Sequence, residues 1–231
     1  MTTFVHRYEL DPSRPDGTAV ARDLAVRAFA PAAAWWCLLV GLGLLVVGPL
    51  GDLPAGDPVE TWFADRRTPV LNTVSEWVGH LGATQVVIGV TVLTVAVLWW
   101  RTRQWWFALV PALAVALQSL VFVTASAVVG RERPDVPHLD DAPPTSSFPS
   151  GHTGASTALW LTLALLAQRI RHPVLRVVVT ALCVLVPLLV GISRMYRGMH
   201  GPADVALGLV NGAVCVVLAW GYLRRSAPGR P

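Results

Sequence analysis

Val121-Phe122-Val123-Thr124-Ala125-Ser126-Ala127-Val128-Val129-Gly130-Arg131-Glu132-Arg133-Pro134 closes an apolar run that begins at Trp105 and carries no charge before Arg131. A run from Trp105 to Val129 is long enough to cross a bilayer as a helix, which takes about 17 to 25 residues. It stops at a glycine followed by two arginines and a proline, residues that end helices and stay in polar surroundings. The segment therefore predicts a membrane span delivering two cations to its polar end.

Five further apolar runs repeat the pattern: Pro31 to Leu50, Ala83 to Trp100, Thr153 to Gln168, Val177 to Ile192 and Val205 to Leu223. The runs beginning at Thr153 and Val177 are near 16 residues and marginal by length alone. Across 231 residues the chain is 54% hydrophobic and only 14% charged, a composition for membrane rather than for one or two soluble domains. The expected fold is all-α: a six-transmembrane-helix bundle over residues 31–223, an N-terminal arm over 1–30 and a tail over 224–231. Between the first two spans Val70, Leu71, Val74, Trp77, Val78 and Leu81 recur at helical spacing opposite Asn72, Thr73, Ser75 and Glu76. That spacing predicts an amphipathic helix, either a platform in the membrane interface or a packed connector.

Arginines orient the bundle. Arg101 and Arg103, then Arg169, Arg171 and Arg176, then Arg224, Arg225 and Arg230 fall in alternate connections, which places those connections and both termini in the cytoplasm. The other connections are acidic or mixed, with Asp52, Asp57, Glu60, Asp65, Glu76, Asp135, Asp140 and Asp141. The formal charge of +4 thus reports topology, and no nucleic-acid partner is expected. The first thirty residues lack the apolar core of a secretory signal. Cys37, Cys183 and Cys215 each lie in an apolar run, which argues against a disulfide framework. Paired tryptophans at 35–36, 99–100 and 105–106 suit an aromatic belt at span ends.

Three segments on the predicted outer side carry chemistry. Ser193-Arg194-Met195-Tyr196-Arg197-Gly198-Met199-His200-Gly201-Pro202-Ala203-Asp204 sets a histidine and an aspartate four apart, so a helix there would put them on one face and let the carboxylate orient the imidazole. Arg194 adds a fork that matches phosphate oxygens. Phe148-Pro149-Ser150-Gly151-His152-Thr153 places a hydroxyl, a glycine amide and a histidine at a helix start, where the dipole favours an anion. Arg131 and Arg133 complete the set. Each residue alone has a plain structural role, as a cap, a dipole partner or an interfacial anchor; their conjunction on one side of one bundle points to phosphate chemistry.

The three segments resemble the tripartite signature of the type 2 phosphatidic acid phosphatase (PAP2) family, the lipid phosphate phosphatases. In family terms the pattern is Lys-x6-Arg-Pro, Pro-Ser-Gly-His and Ser-Arg-x5-His-x3-Asp. The second and third match at every specified position; the first matches only at Arg133-Pro134, with Ser126 in the lysine's place. The resemblance implies a metal-independent, cofactor-free hydrolase of the bacterial plasma membrane, its active site on the extracytoplasmic side. In it His200 is the nucleophile that forms a phosphohistidine, Asp204 orients it, and His152 is the acid and then the base. Arg133, Arg194, Ser150 and Gly151 would bind phosphate.

All 18 basic residues are arginine, so no neighbouring lysine substitutes at Ser126. Three accounts compete: Arg131 leans in, which is favoured here, Arg197 does so, or the pocket works with one charge fewer. Substrate classes implied by the resemblance are phosphatidate, phosphatidylglycerol phosphate, lysolipid phosphates and polyprenyl diphosphate, with a lean toward the last. A lipid-phosphate transporter or a phosphotransferase on the same scaffold are the alternatives, and oligomeric state is not legible. Histidine spacing matches no zinc pattern, His138 with Asp140 and Asp141 being the only weak cation candidate. Residues 135–149 form a polar loop, either a lid over the site or a connector.

Overall fold

The computed structural model describes residues 2–48 and 57–223, and every regular element among them is helical. In chain order these are α1 (Thr2–Val5), α2 (Arg7–Leu10), α3 (Gly17–Val47), α4 (Asp57–Ala64), α5 (Pro69–His80), α6 (Thr84–Thr102), α7 (Trp105–Val129), α8 (Gly151–Ala167), α9 (Pro173–Tyr196) and α10 (Pro202–Trp220). The tail at 224–231, with its three arginines, lies outside the described residues, as do Leu50 and Asp52.

Five helices, α3, α6, α7, α9 and α10, are long and apolar enough to cross a membrane. Of the six expected spans, the remaining one is α8, whose 17 residues make it the shortest of the set. Two spans differ most from expectation. The first span starts at Gly17 rather than Pro31, because Asp16 caps the helix through Thr18 and Ala19 amides and a π-helical stretch at Ala25–Phe29 carries it into the apolar run without a break. The helix expected over Val177 to Ile192 runs instead from Pro173 to Tyr196, 24 residues long. His172 caps its start through the Leu175 amide, and both Arg176 and Arg194 lie within its terminal turns.

Helix α8 is the hub, packing on α9, α10 and α7. Small residues let it approach α10 closely: a Cβ on Gly212 would lie 2.4 Å from Thr157 Cβ and 2.6 Å from the Gly154 carbonyl. One apolar cluster gathers Tyr8, Trp106, Phe107, Ala158 and Trp220 at the end of the bundle that holds the N-terminal arm; a second gathers Leu39, Val121, Ala125 and Phe148. Outward, Leu38, Val92, Leu93, Leu120 and Leu182 are exposed along the long helices, an apolar surface that suits lipid and not water.

The N-terminal arm is packed. Tyr8 is fully buried, stacks on Phe107 with centroids 4.6 Å apart and donates to the Trp220 carbonyl at 3.0 Å. Not all the tryptophans form a belt. Trp99 and Trp100 are exposed, whereas Trp106 is buried and Trp35 turns inward to donate to Asn211 at 3.0 Å. Cys183 and Cys215 are buried and Cys37 is exposed.

Helix α5 packs by its polar face. Ser75 accepts from Ser193 through its carbonyl, Asn72 accepts from the Tyr196 hydroxyl, and Gly79 lies against Ser193 and Arg194. Val70, Leu71, Val74 and Trp77 stay exposed on the opposite face. This is the reverse of a helix in a water-soluble protein, whose apolar stripe turns to the core.

Candidate active site

All three motif segments meet at the end of the bundle opposite the N-terminal arm, where α7 ends and α8 and α10 begin. Gly130, in the left-handed region at φ 64°, terminates α7 and releases the chain into the loop that carries Arg131 and Arg133. The loop returns to α7 through Ser126, whose hydroxyl accepts from the Ser146 amide at 2.9 Å. Ser147 amide donates to the Arg131 carbonyl at 2.8 Å. Ser150, the residue before α8, donates its amide to the Asp204 carbonyl at 2.9 Å and joins α8 to α10.

His200 lies outside α10, two residues before its start at Pro202, so it does not share a helix face with Asp204. Their closest approach is 3.9 Å, a charge contact too long for a hydrogen bond. Ser147 holds the ring instead: its carbonyl lies 2.7 Å from His200 Nδ1. A carbonyl only accepts, so Nδ1 carries the hydrogen and Nε2 keeps its lone pair. The Ser147 hydroxyl donates to Asp204 Oδ2 at 2.5 Å, which makes serine the bridge between the histidine and the carboxylate.

Asp204 is fully buried and completely engaged. Its Oδ2 also accepts from the Gly201 amide at 2.9 Å, and its Oδ1 pairs with Arg131 Nη1 at 2.5 Å. Arg131, expected at the phosphate, gives Nη1 to this buried carboxylate, whose charge would be costly unpaired. Arg197 is fully engaged. Its Nε and Nη2 engage Asp140 at 2.5–2.9 Å, Nη2 also donates to the Leu139 carbonyl, and Nη1 donates to the Asn72 carbonyl and the Ser75 hydroxyl. Of the three accounts of the missing lysine, this geometry speaks against Arg197, whose N–H groups are all engaged, whereas Arg131 spends only Nη1 on Asp204. Ser126 itself is 2% exposed under Ser146.

The other two cations of the motif segments are Arg133 and Arg194. Arg133 donates to the Met199 carbonyl at 2.8 Å and to the Thr145 carbonyl at 3.1 Å, two of its five N–H groups. Burial lowers its pKa, and the positive charge of Arg194 lowers it further. Arg194 is 6% exposed; one Nη donates to Asp140 at 2.7 Å, and Nε has no partner among the described residues. Burial also lowers the pKa of His200 well below the ordinary histidine value, with Arg194 and Arg133 adding to the effect, so the ring is neutral.

A cavity of about 230 Å³ opens here, lined among others by His152, Arg194, Arg197 and Asp140, with His200 buried behind that wall. Gly151 and His152 occupy the first turn of α8, whose leading amides have no intrahelical acceptor. Ser150 is 1% exposed and its hydroxyl is shared with Thr153 at 2.9 Å. The His138, Asp140 and Asp141 grouping does not form, since His138 turns to the Pro134 carbonyl and Asp140 to the arginines. Among the described residues no three His, Cys, Asp or Glu side chains gather to hold a metal ion.

The contacts of two positions at the candidate site are not legible in the sequence. Ser147 sits in a run of hydroxyl residues beside Pro149 and Ser150, and that adjacency was the available signal. Asp140, read as a weak cation candidate, gave no sign of its arginine partners, which are 54 and 57 residues away.

The PAP2 superfamily profile matches residues 104–227. Decaprenylphosphoryl-5-phosphoribose phosphatase of Mycobacterium tuberculosis is 31% identical over 168 residues, 71% of this chain and 86% of that protein. Phosphatidylglycerophosphatase B of Bacillus subtilis is 29% identical over 161 residues, 68% and 77% of the two chains. Among solved structures, a transmembrane PAP2-type phosphatidylglycerolphosphate phosphatase from Bacillus subtilis superposes with a TM-score of 0.70 at 24% identity, covering 84% of this chain and 94% of that one. Aquifex aeolicus LpxE gives 0.58 at 22% identity over 73% and 96%. These two establish likeness of fold.

Proposed function

This chain belongs to the PAP2 superfamily and is a membrane lipid phosphatase, and on that premise we propose that it hydrolyses a lipid phosphomonoester or diphosphate through a phosphohistidine, without a metal. The observation that carries the reading is the Nδ1 hydrogen bond of His200 to Ser147, which leaves a neutral ring with a free Nε2 beside two guanidinium groups.

A phosphomonoester is inert in water, so the site must gather positive charge and align a nucleophile. Arg133 and Arg194 hold the phosphoryl oxygens, with amides at the start of α8 adding donors. His200 Nε2 attacks phosphorus and forms a P–N bond. The P–O bond to the leaving group breaks, and its electron pair leaves with the oxygen, which takes a proton from His152. His152 then removes a proton from water, the hydroxide oxygen attacks phosphorus, and the P–N bond breaks to release phosphate and restore neutral His200.

Arg101, Arg103, Arg169, Arg171 and Arg176 gather at the opposite end of the bundle, in connections or terminal helix turns, and this positive charge supports an extracytoplasmic site in a bacterial plasma membrane. Relatives named for decaprenylphosphoryl-5-phosphoribose and phosphatidylglycerophosphate support a lipid phosphate as substrate.

Phosphate release in detergent from a panel of lipid phosphates tests the reading. Hydrolysis should survive EDTA, stop with vanadate and vanish in His200→Ala. Loss of activity with EDTA, or turnover retained in the variant, sinks the mechanism.

A further inference from the structure

A second cavity, of about 690 Å³, opens at the other end of the bundle, where α8, α9 and α10 meet the N-terminal arm. Its size falls within the roughly 300–1,000 Å³ of small-molecule sites. Arg176, Thr180 and Val184 line it from α9 at intervals of one helical turn, so it follows that helix for about 12 Å from its polar end. Leu161 and Leu165 of α8 and Val216 of α10 make its wall apolar, and the small side chain of Ala213 leaves room between the helices. Val184 and Val217 in the same lining are exposed. The groove therefore opens sideways, on the apolar surface that suits lipid, and not into water.

Polar side chains of α8 and α9 in this wall are tied to each other. The Gln168 amide donates to the Ala164 carbonyl at 3.1 Å and to the Thr180 hydroxyl at 2.9 Å, and Thr180 donates in turn to the Arg176 carbonyl at 2.7 Å. Glu9 of the arm is paired with Arg169. The half-buried guanidinium of Arg176 makes no hydrogen bond or ion pair among the described residues, yet it lines the cavity. It lies in the first turn of α9, where the helix dipole also favours an anion, and exposed Arg171 stands just before that turn. An unmatched cation thus heads an apolar groove that faces the bilayer. Its complement is a negative headgroup carried on an acyl chain.

We propose that this groove binds an anionic phospholipid from the leaflet at this end of the bundle, as a bound lipid and not as a substrate. The lipid phosphate pairs with Arg176, and one acyl chain follows α9 toward Val184 and Val217. The site is at the opposite end of the bundle from His200, so the proposal does not depend on the phosphatase reading. A zwitterionic lipid offers the same phosphate but brings an ammonium group toward Arg171 and Arg176, like charge toward like charge. Val5 and His6 of the arm share the lining, so the bound lipid also holds the arm against α9.

The test uses the full chain in a neutral maltoside detergent, with phosphatidylglycerol or phosphatidylcholine of the same acyl chains added, read by Tm and by native mass spectrometry. Phosphatidylglycerol should raise Tm by about 2–4 °C more than phosphatidylcholine and stay bound as a single lipid per chain. Arg176→Gln should weaken its apparent affinity about fivefold, the share of one arginine beside an anionic headgroup. Ala213→Leu fills the groove without touching its charge and should abolish the bound lipid. The Tm without lipid shows that each variant has folded. Equal shifts with the two lipids overturn the site, as does a phosphatidylglycerol shift left unchanged in either folded variant. A shift abolished by vanadate also overturns it, because the lipid then occupies the active site. A dimer that phosphatidylglycerol does not dissociate and that Ala213→Leu breaks puts a second copy of the chain in the groove in the lipid's place.

Discussion

Ser147 fixes the ring of His200: its carbonyl accepts from Nδ1 at 2.7 Å, while its hydroxyl donates to Asp204 at 2.5 Å. The backbone half of this arrangement survives any substitution at the position, and the hydroxyl half does not. Ser147→Ala should therefore keep the tautomer but leave Asp204 short of one donor. A lost hydrogen bond to a buried charge is worth about 1.5–3 kcal/mol. We expect kcat to fall about ten- to a hundredfold with KM little changed. A variant with wild-type kcat contradicts the bridging role.

Histidine titration offers a second check. Burial, then Arg194 and Arg133, lower the pKa of His200, so the folded protein binds its proton less readily than the unfolded chain does. Histidine-selective NMR should show His200 as the neutral Nδ1–H tautomer at neutral pH, with its midpoint well below the ordinary value of about 6.5. The sign for stability follows: below about pH 6.5 the unfolded chain takes the proton first, and acidification destabilises the fold.

Asp140 ties the loop to α9 through Arg194 and Arg197. Burial pushes its carboxyl pKa up, but the hydrogen bonds and charges of Arg197 and Arg194 outweigh that and hold it below the usual value. The stabilisation is present above the unfolded value of about 3.9 and lost as pH falls through the lower folded one. Asp140→Asn should lower Tm at neutral pH, and the gap from wild type should close below about pH 4. The same variant frees an Nη of Arg194, so vanadate should inhibit it more tightly. Weaker inhibition would show that Asp140 does not compete with the anion.

Ser126 stands where the family pattern has lysine, yet its hydroxyl receives the Ser146 amide and lies buried. A lysine there must displace Ser146, and Ser147 with it. Ser126→Lys should reduce kcat more than tenfold, while Ser126→Ala should lose about 1 kcal/mol of stability. Increased activity in the lysine variant would mean that the site lacks a cation it can use.

Much of this was legible in the sequence because it is local. Apolar runs marked the helices, and helix ends next to motif residues marked the site. Boundaries failed where charge was treated as a stop: Arg176 and Arg194 sit inside α9, since long side chains at span ends reach polar surroundings from within the helix. Spacing misled for His200 and Asp204, because Pro202 starts the helix between them. The pairings of Arg131 with Asp204 and of Asp140 with Arg197 span 73 and 57 residues, and no local rule reaches that far.

The packed N-terminal arm has a consequence for assembly. Tyr8 donates to the carbonyl of Trp220, 212 residues later, and Trp220 Nε1 donates back to the Phe4 carbonyl at 3.0 Å. Arg169 joins the same junction, over the rings of Phe107 and Trp220 and bonded to the Val5 carbonyl. The arm precedes every span in the chain and thus finds these partners only after α10, the last described helix, has inserted. Order at the arm becomes a record of completed insertion: protease cleavage near residue 10 should be rapid in chains truncated before α10 and slow in the full chain.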